Sequence, residues 1–487
     1  MWNRQEQHQA YQFLNRRIVS AVLSGEPETN ELPMRRFGVA LFSGIVVALL
    51  VVAGFTAFGF MFPGGGKPTE NTIIEERETG ALYVFVDGLL HPVANWTSAR
   101  LILGQESPQT KTLSQASLRD VSRGRPVGIP DAPSTLPDKK ALVGLPWSVC
   151  SAPRSADQLD VATHVLVGGT PSGGRETGDL DGLLVTTGSD RFLLWRGHRL
   201  QIPDQAALAA LTWAGVQPAL VSTALLNAIP AGPTLRPLDV PGAGQPTPYV
   251  VDGKPTTVGQ IFQAGGETYV MVPDGLAPVG QLTAMLWANT GRPVTQTSAS
   301  EVGRVLAQDA SPEPADLPSQ LPIVAGAGDR VAMVCTVYHG GTDVDRPVTV
   351  QSFQQRTEDV PYLDRATPSA APLADRVSLS PGHAALVRTL VPEGSQAQGL
   401  TYVVTDQGMR YALPRVDTAA VQASLGYGGA AVQAVPAAFL DLLRTGPVLD
   451  PVAARAFLGI SEPSRPPLDT TEQGRTAPDA TPDTTGG

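Results

Sequence analysis

The longest uninterrupted apolar stretch in the chain covers residues 37–62 and contains no charged side chain. As an α-helix, these 26 residues would rise about 39 Å, more than the roughly 30 Å hydrocarbon core of a bilayer. The pattern therefore predicts one transmembrane helix. A cleaved signal peptide is disfavoured, because 36 residues precede the stretch and no small-residue cleavage motif follows it.

The charges on the two sides of this stretch differ in sign. Arg35 and Arg36 directly precede it. The segment after it carries four glutamates: Glu70, Glu75, Glu76 and Glu78. Because the cytoplasmic flanks of membrane spans carry an excess of Lys and Arg, we expect a cytoplasmic N-terminus and an extracytoplasmic chain from about Pro63 onward. The predicted location is the cell membrane, crossed once.

The residues before the span predict an amphipathic helix that ends near Gly25 and Pro27. Four apolar side chains recur at helical spacing on one face: Tyr11, Leu14, Ile18 and Val22. Arg16 and Arg17 lie off this stripe and complete the candidate docking set. A helix of this kind beside a membrane is expected to bind a surface, and the pattern leaves both lipid headgroups and a partner protein open.

Four later segments share one pattern: an alternating strand, a turn at glycine, a second strand, and a helical stretch closed by glycine. They begin at Leu82, Arg191, Thr268 and Thr401. The turn and closing glycines are 16, 18, 16 and 18 residues apart, so the first and third copies pair, as do the second and fourth. A further short helix is predicted after the second and the fourth copies.

One insertion lies between the first and second copies and another between the third and fourth, and each contributes strand-like runs and one cysteine. The first contains "PWSVC" and "DGLLVTT", and the second contains "VAMVCTVY" and "HAALVRTL". The insertions predict a central β domain. In an exported region the two cysteines, Cys150 and Cys335, are expected to form a disulfide that clamps this domain, with two buried thiols as the alternative.

The predicted fold class is α+β, with a single transmembrane helix followed by an elongated extracytoplasmic region of four hairpin-plus-helix repeats around a central β domain. The predicted domains are a cytoplasmic helix and linker (1–36), the span (37–62), a juxtamembrane linker (63–79), repeat 1 (80–130), the first part of the central domain (131–186), repeat 2 (187–240), repeat 3 (241–310), the second part of the central domain (311–398), repeat 4 (399–460) and a disordered tail (461–487).

Composition narrows the possible partners. The chain has 50 glycines and 44 prolines among 487 residues, which is typical of turn-rich β architecture. Its net charge is -10, only 16% of its residues are charged, and no basic stripe is present. We therefore do not expect this chain to bind nucleic acid, since such binding requires clustered cations to neutralise phosphates.

Two lysine-containing loops resemble phosphate-binding loops but lack required residues. The motif needs a glycine five positions before the Gly of its Gly-Lys pair and a Ser or Thr after the lysine. Around Lys67 these places hold Met61 and Pro68, and around Lys254 they hold Pro248 and Pro255. Neither loop is expected to bind a nucleotide.

The sequence offers no other catalytic signature. No H-E-x-x-H or G-x-S-x-G motif occurs. Six histidines are scattered without metal-ligand spacing: His8, His91, His164, His198, His339 and His383. We therefore predict no catalytic residue, no cofactor and no metal site.

The combination of "AYQFLNRRIVSAVLSGE", one span, "PWSVC" with a distant cysteine, the repeated hairpins and the closing "GPVLDP" resembles the EccB family, the single-span core component of actinobacterial type VII (ESX) secretion complexes. The resemblance implies a structural subunit that assembles with the EccC ATPase, EccD and EccE in a hexameric machine and self-associates outside the membrane. Some family members are described as ATPases. The alternatives are such an ATPase, a cell-wall-binding anchor and an envelope enzyme such as a peptidoglycan hydrolase.

Overall fold

The computed structural model describes residues 3–25, 33–61, 66–155, 160–308, 312–326, 328, 331–341, 346–360, 373–391 and 399–458. The predicted disordered tail, 461–487, lies outside these residues. The chain divides into two units, one of Met1–Pro92 with Gln109–Gly124 and one of Val93–Pro108 with Arg125–Gly487.

Two long helices open the chain, α1 (Arg4–Ser24) and α2 (Pro33–Met61). The Asn3 N–H donates to Glu6 Oε2 at 3.2 Å where α1 begins, and Gly25, with a φ of 69°, ends it in the left-handed conformation that glycine adopts without strain. Within the described residues, α2 is the one helix long and apolar enough to cross a membrane. A candidate membrane helix, Phe37–Phe58, therefore lies where the sequence predicts the span.

The first repeat comprises β1 (Thr72–Glu76), β2 (Leu82–Val86), β3 (Leu89–Pro92), α3 (Trp96–Leu103), β4 (Gln109–Leu113) and α4 (Gln115–Leu118). The chain continues through β5 (Leu142–Val143), β6 (Trp147–Pro153), β7 (Val161–Val167) and β8 (Arg175–Glu176).

The second repeat comprises β9 (Asp181–Thr187), β10 (Asp190–Trp195), β11 (His198–Ile202), α5 (Gln205–Ala210), β12 (Ala219–Leu220) and α6 (Thr223–Asn227). A hairpin of β13 (Pro246–Val251) and β14 (Lys254–Thr257) follows. The third repeat comprises β15 (Ile261–Ala264), β16 (Glu267–Val272), β17 (Gly275–Val279), α7 (Gln281–Ala288), β18 (Val294–Gln296) and α8 (Ala299–Arg304).

The second insertion comprises β19 (Ile323–Ala325), β20 (Met333–Tyr338), β21 (Thr349–Phe353) and β22 (Arg376–Ser378). The fourth repeat comprises β23 (Ala384–Thr389), β24 (Thr401–Thr405), β25 (Met409–Ala412), α9 (Thr418–Gln422) with a π-helical turn (Ala423–Tyr427), β26 (Gln433–Val435), α10 (Ala437–Leu440) and β27 (Arg444–Thr445). The last described helix is α11 (Pro451–Arg455).

All four repeats share one sheet topology. Their strand orders are β3-β2-β1-β4, β11-β10-β9-β12, β17-β16-β15-β18 and β25-β24-β23-β26. In each sheet the fourth strand, which follows the helix, pairs in parallel with the first. Each repeat therefore has the element order β-β-β-α-β along the chain, which includes the predicted hairpin and helix.

The structure corrects the predicted repeat in three respects. The predicted juxtamembrane linker, 63–79, contains β1, which pairs with β2 and therefore belongs to the sheet of repeat 1. "DGLLVTT" and "HAALVRTL" were assigned to the central domain by their position, but β9 pairs with β10 and β23 with β24, so both runs belong to repeat sheets. The short helix follows every copy, as α4, α6, α8 and α10, and is not limited to the second and fourth.

The two insertions form one central six-stranded sheet of order β22-β7-β6-β20-β21-β8. Its middle pair, β6 and β20, is antiparallel, and Cys150 stands directly opposite Cys335. Outside this sheet, β5 pairs in parallel with β23 of repeat 4, and β19 pairs in parallel with β9 of repeat 2. The two halves of the chain therefore exchange equivalent strands, as expected for a quasi-twofold arrangement centred on β6 and β20.

In the second unit, helices from the two halves of the chain also pack against each other. Helix α5 of repeat 2 packs against α7 of repeat 3, where the Asn289 side chain donates to the Ala206 carbonyl at 3.2 Å. Helix α3 packs against α11 and the π-helical turn. There Arg100 donates to the Leu425 carbonyl and Arg455 donates to the Ile102 carbonyl, both at 2.7 Å.

Candidate functional site

The candidate docking residues lie on the exposed surface of α1. Tyr11, Leu14, Ile18 and Val22 recur at intervals of three or four residues, and each is 56 to 79% exposed. Helical geometry places them on one face. Arg16 and Arg17 lie away from this face, and the Arg17 guanidinium sits over the Phe13 ring at 5.7 Å from its centre. The structure thus presents an apolar stripe that no described residue covers.

In the residues that the structure describes, neither lysine loop has the setting of a phosphate-binding loop. Lys67 is exposed in the coil between α2 and β1, and its preceding Gly64 and Gly65 lie outside the described residues. Lys254 begins β14 after a tight turn in which Asp252 and Gly253 both have positive φ, 49° and 74°. A phosphate-binding loop joins a buried strand to a helix N-terminus, whereas Lys254 lies in a β-hairpin.

The disulfide between Cys150 and Cys335 joins the two insertions, with a Cα–Cα distance of 4.0 Å. Both cysteines are fully buried in a small apolar cluster that also holds Met333 and Phe353. The predicted bridge is confirmed, and the alternative of two free thiols is wrong. Its sequence separation of 185 residues makes it the covalent link between the two halves of the central sheet.

Hydrogen bonds near the disulfide connect the central sheet to repeat 2. The Ser222 N–H donates to Ser151 Oγ, and Thr163 Oγ1 donates to Ser222 Oγ, both at 2.8 Å. Asp375 accepts a hydrogen bond from the Thr163 N–H at 2.7 Å and pairs with Arg154 at 2.7 Å. Sequence reasoning missed this network because its members come from three separate segments.

Repeats 2 and 4 each have an arginine at an equivalent position, Arg199 and Arg410, whose role sequence reasoning missed. Arg199 donates to the Leu226 carbonyl at 2.6 Å at the end of α6, and Arg410 pairs with Asp441 at 2.9 Å at the end of α10. A cation at a helix C-terminus interacts favourably with the helix dipole, and Arg199 also donates to a carbonyl at the end of its helix. The signal was present in the chain as "GHR" and "GMR" at equivalent turns.

Repeats 3 and 4 each contain a cleft between the hairpin and the helix. The cleft in repeat 3 has a volume of about 870 Å³ and is lined by residues such as Glu267, Gln281 and Glu313. The equivalent cleft in repeat 4 has a volume of about 740 Å³ and has Arg388 and Arg415 in its lining. Neither lining contains a histidine or cysteine among the described residues, so neither brings a nucleophile together with an imidazole base.

The histidines do not converge. Among the described residues no group of three His, Cys, Asp or Glu side chains could hold a metal ion. His8 contacts Gln12 on the exposed surface of α1, whereas His164 and His198 are buried in different strands.

The Tyr427 hydroxyl is a structural hydrogen-bond donor. Burial raises its pKa, and it donates to the Pro137 carbonyl at 2.8 Å.

The family profile described as "Type VII secretion system ESX-1, transport TM domain B" matches residues 2–459. The chain belongs to the EccB family. It is 30% identical over 465 residues to the ESX-3 secretion system ATPase EccB3 of Mycolicibacterium smegmatis, covering 90% of this chain and 88% of the relative. It is also 30% identical over 480 residues to the ESX-2 secretion system ATPase EccB2 of Mycobacterium tuberculosis, covering 92% of this chain and 94% of the relative.

Chains in solved structures of ESX complexes share the fold. A chain in the structure of an intact ESX-5 inner membrane complex superposes with a TM-score of 0.65 at 25% identity and covers all of this chain and 98% of its own length. The structure of the EccB3 dimer from the ESX-3 core complex gives a TM-score of 0.65 at 26% identity, covering 79% of this chain and 100% of that one. The predicted α+β architecture behind a single membrane helix is therefore that of the EccB family.

Proposed function

We propose that this EccB protein is a non-catalytic structural subunit of a type VII secretion membrane complex. The observation that carries the proposal is the full-length likeness to a chain of the intact ESX-5 inner membrane complex. Three features of the chain suit this role: one membrane helix, four outer repeats around a disulfide-linked central sheet, and an exposed apolar stripe on α1. Its partners are the EccC ATPase, EccD, EccE and further copies of itself.

In this arrangement α1 lies in the cytoplasm, α2 crosses the membrane and the repeats lie outside. Arg35 and Arg36 before the span and the glutamates after it support this orientation. Further support comes from a structure titled as the periplasmic assembly of the ESX-5 inner membrane complex, whose chain covers 81% of this one with a TM-score of 0.60. The disulfide is consistent with an oxidising compartment for the repeats.

The name ATPase attached to several relatives is not carried over to this chain. Purified protein is expected to hydrolyse ATP at the background rate, because Pro68 and Pro255 replace the hydroxyl residue that would hold magnesium at either lysine. Phosphate release should be measured on protein from two unrelated columns, with Lys67→Ala and Lys254→Ala as matched variants. A steady turnover that survives both columns and disappears in either variant would contradict the proposal.

The structural role is tested by complementation. A strain that lacks this gene is expected to lose secretion through the corresponding system and to lack the intact membrane complex. The wild-type chain and a Lys67→Ala, Lys254→Ala double variant should restore both equally, since neither lysine is part of a catalytic loop. A double variant that restores the complex but not secretion would instead point to a chemical role for these lysines.

A further inference from the structure

His164 occupies an unusual position in the central sheet. It lies on β7, directly opposite Cys150 on β6, and Cys150 in turn stands opposite Cys335 on β20. On the other side of β7 its partner in register is Arg376 of β22. The imidazole is 1% exposed, and neither ring nitrogen has a hydrogen-bond partner among the described residues. Adding a charge to an unpaired, buried polar ring carries a large free-energy cost.

The charged groups that face His164 oppose its protonation. Arg356, which follows β21, Arg376 of β22 and Arg154, which follows β6, all repel a second cation, and Asp375 alone favours one. The buried side chains that β6 and β20 contribute to the surrounding cluster are uncharged. Burial first, and then Arg356 and Arg376, lower the pKa of His164 to about 4. The ring is therefore neutral near pH 7.

The two neighbours of β7 differ in how firmly they are held. β6 pairs with β7 over seven residue pairs and is joined to β20 by the disulfide. β22 is an edge strand that pairs with β7 over only three residue pairs. A protonated imidazole needs water, and the less costly route to water is through the short edge strand.

The segment 374–378, here called the strap, connects this edge to repeat 4. The Asp375 N–H donates to the Thr163 carbonyl of β7, and the Ala374 N–H donates to the Leu442 carbonyl after α10, both at 2.9 Å. Val377 packs against the turn at Gly408, where an added Cβ would lie 2.9 Å from the valine. Release of the strap would therefore remove contacts between the central sheet and repeat 4.

We propose that His164 is an acid sensor for the strap, and that protonation of its imidazole releases β22 from β7 and loosens repeat 4 from the central sheet. The direction follows from linkage. Because the pKa is lower in the closed state than in the open, hydrated state, the closed state loses stability as the pH falls below about 6.5 and reaches its full loss below about 4.

The test is hydrogen exchange on the full-length protein in detergent, at pH 7.5 and pH 5, with rates corrected for intrinsic exchange. For a shift from 6.5 to about 4, the opening constant should rise about 30-fold at pH 5. The amides of Asp375, Arg376 and Thr163 should show this loss of protection. In His164→Phe, which keeps a ring but cannot be protonated, the pH dependence should disappear.

Two further variants keep the proposal testable even if His164→Phe does not fold. Arg376→Gln removes one repelling charge from an exposed position, so the closed-state pKa of His164 should rise, and the loss of protection should level off at higher pH and be smaller at pH 4 than in wild type. His383→Gln changes a histidine that follows the strap along the chain, and this variant should behave as wild type. The proposal is wrong if strap amides in wild type keep their protection at pH 5, or if Arg376→Gln loses as much protection at pH 4 as wild type does.

Discussion

Replacing Leu14 and Ile18 together with aspartate is expected to yield a protein that inserts in the membrane, keeps its outer repeats folded, and no longer co-purifies with the secretion complex. Both side chains lie on the exposed stripe of α1. If both are buried in a partner, the change removes about 3 to 6 kcal/mol of apolar contact, which weakens docking by about a hundredfold to ten-thousandfold. Affinity purification and a secretion assay measure the loss.

A lipid-binding helix would respond differently. It usually presents a broader apolar face and more Lys or Arg than Arg16 and Arg17 alone. The matched control is Gln5→Asp with Gln12→Asp, which adds the same two charges to α1 away from the stripe and should assemble normally. If the Leu14 and Ile18 double variant assembles and secretes as wild type does, α1 is not a docking element.

Removing the disulfide is expected to cost the outer region up to about 5 kcal/mol of unfolding free energy. The bridge closes a loop of 185 residues, and loop closure in the unfolded chain is the main source of this term. Cys150→Ala with Cys335→Ala avoids placing new hydroxyls in a fully buried cluster. Thermal unfolding of wild type should shift to lower temperature on reduction, whereas the double variant should be insensitive to reductant.

Thiol labelling gives an independent check on the same bridge. Under denaturing, non-reducing conditions neither Cys150 nor Cys335 of wild type should react, and both should react after reduction. Equal unfolding temperatures for wild type and the double variant would show that the closed loop does not stabilise the fold. Stoichiometric labelling without reductant would show that the bridge is absent from the mature protein.

The span and the hairpins could be predicted because their signals are local. An uncharged apolar stretch of 26 residues is typical of a membrane span. In the hairpins, apolar and polar residues alternate on both sides of turns whose two central residues take positive φ. Asp87 with Gly88 and Arg196 with Gly197 are such pairs in the structure. The cysteine pair was also predictable, since each insertion contributes one and no third exists.

The outer strands of each repeat could not be predicted from the sequence. β12 has two residues and β26 has three, too few to show a period, and both pair in parallel with strands far back in the chain. The short helices of repeats 1 and 3 were missed because α4 and α8 are polar. Ser114 and Ser298 cap them in the same way that Ser222 caps α6.

The apolar stripe on α1 could be predicted from the sequence, but the sequence does not identify the surface that the stripe binds. The environment of His164 was not predictable at all, since it is assembled from β6, β7, β20 and β22 through pairings that no local pattern specifies. A lone histidine in a strand-like run is ordinary in sequence, and only its register beside the disulfide sets it apart.

The most direct test of the proposed structural role is the composition of the assembly that contains this protein. Tagged protein should be purified in mild detergent, and the native mass and subunit identities of the complex should be determined. We predict one large species that contains several copies of this chain with EccC, EccD and EccE. A monomer that purifies alone, or that co-sediments with peptidoglycan without these subunits, would contradict the account.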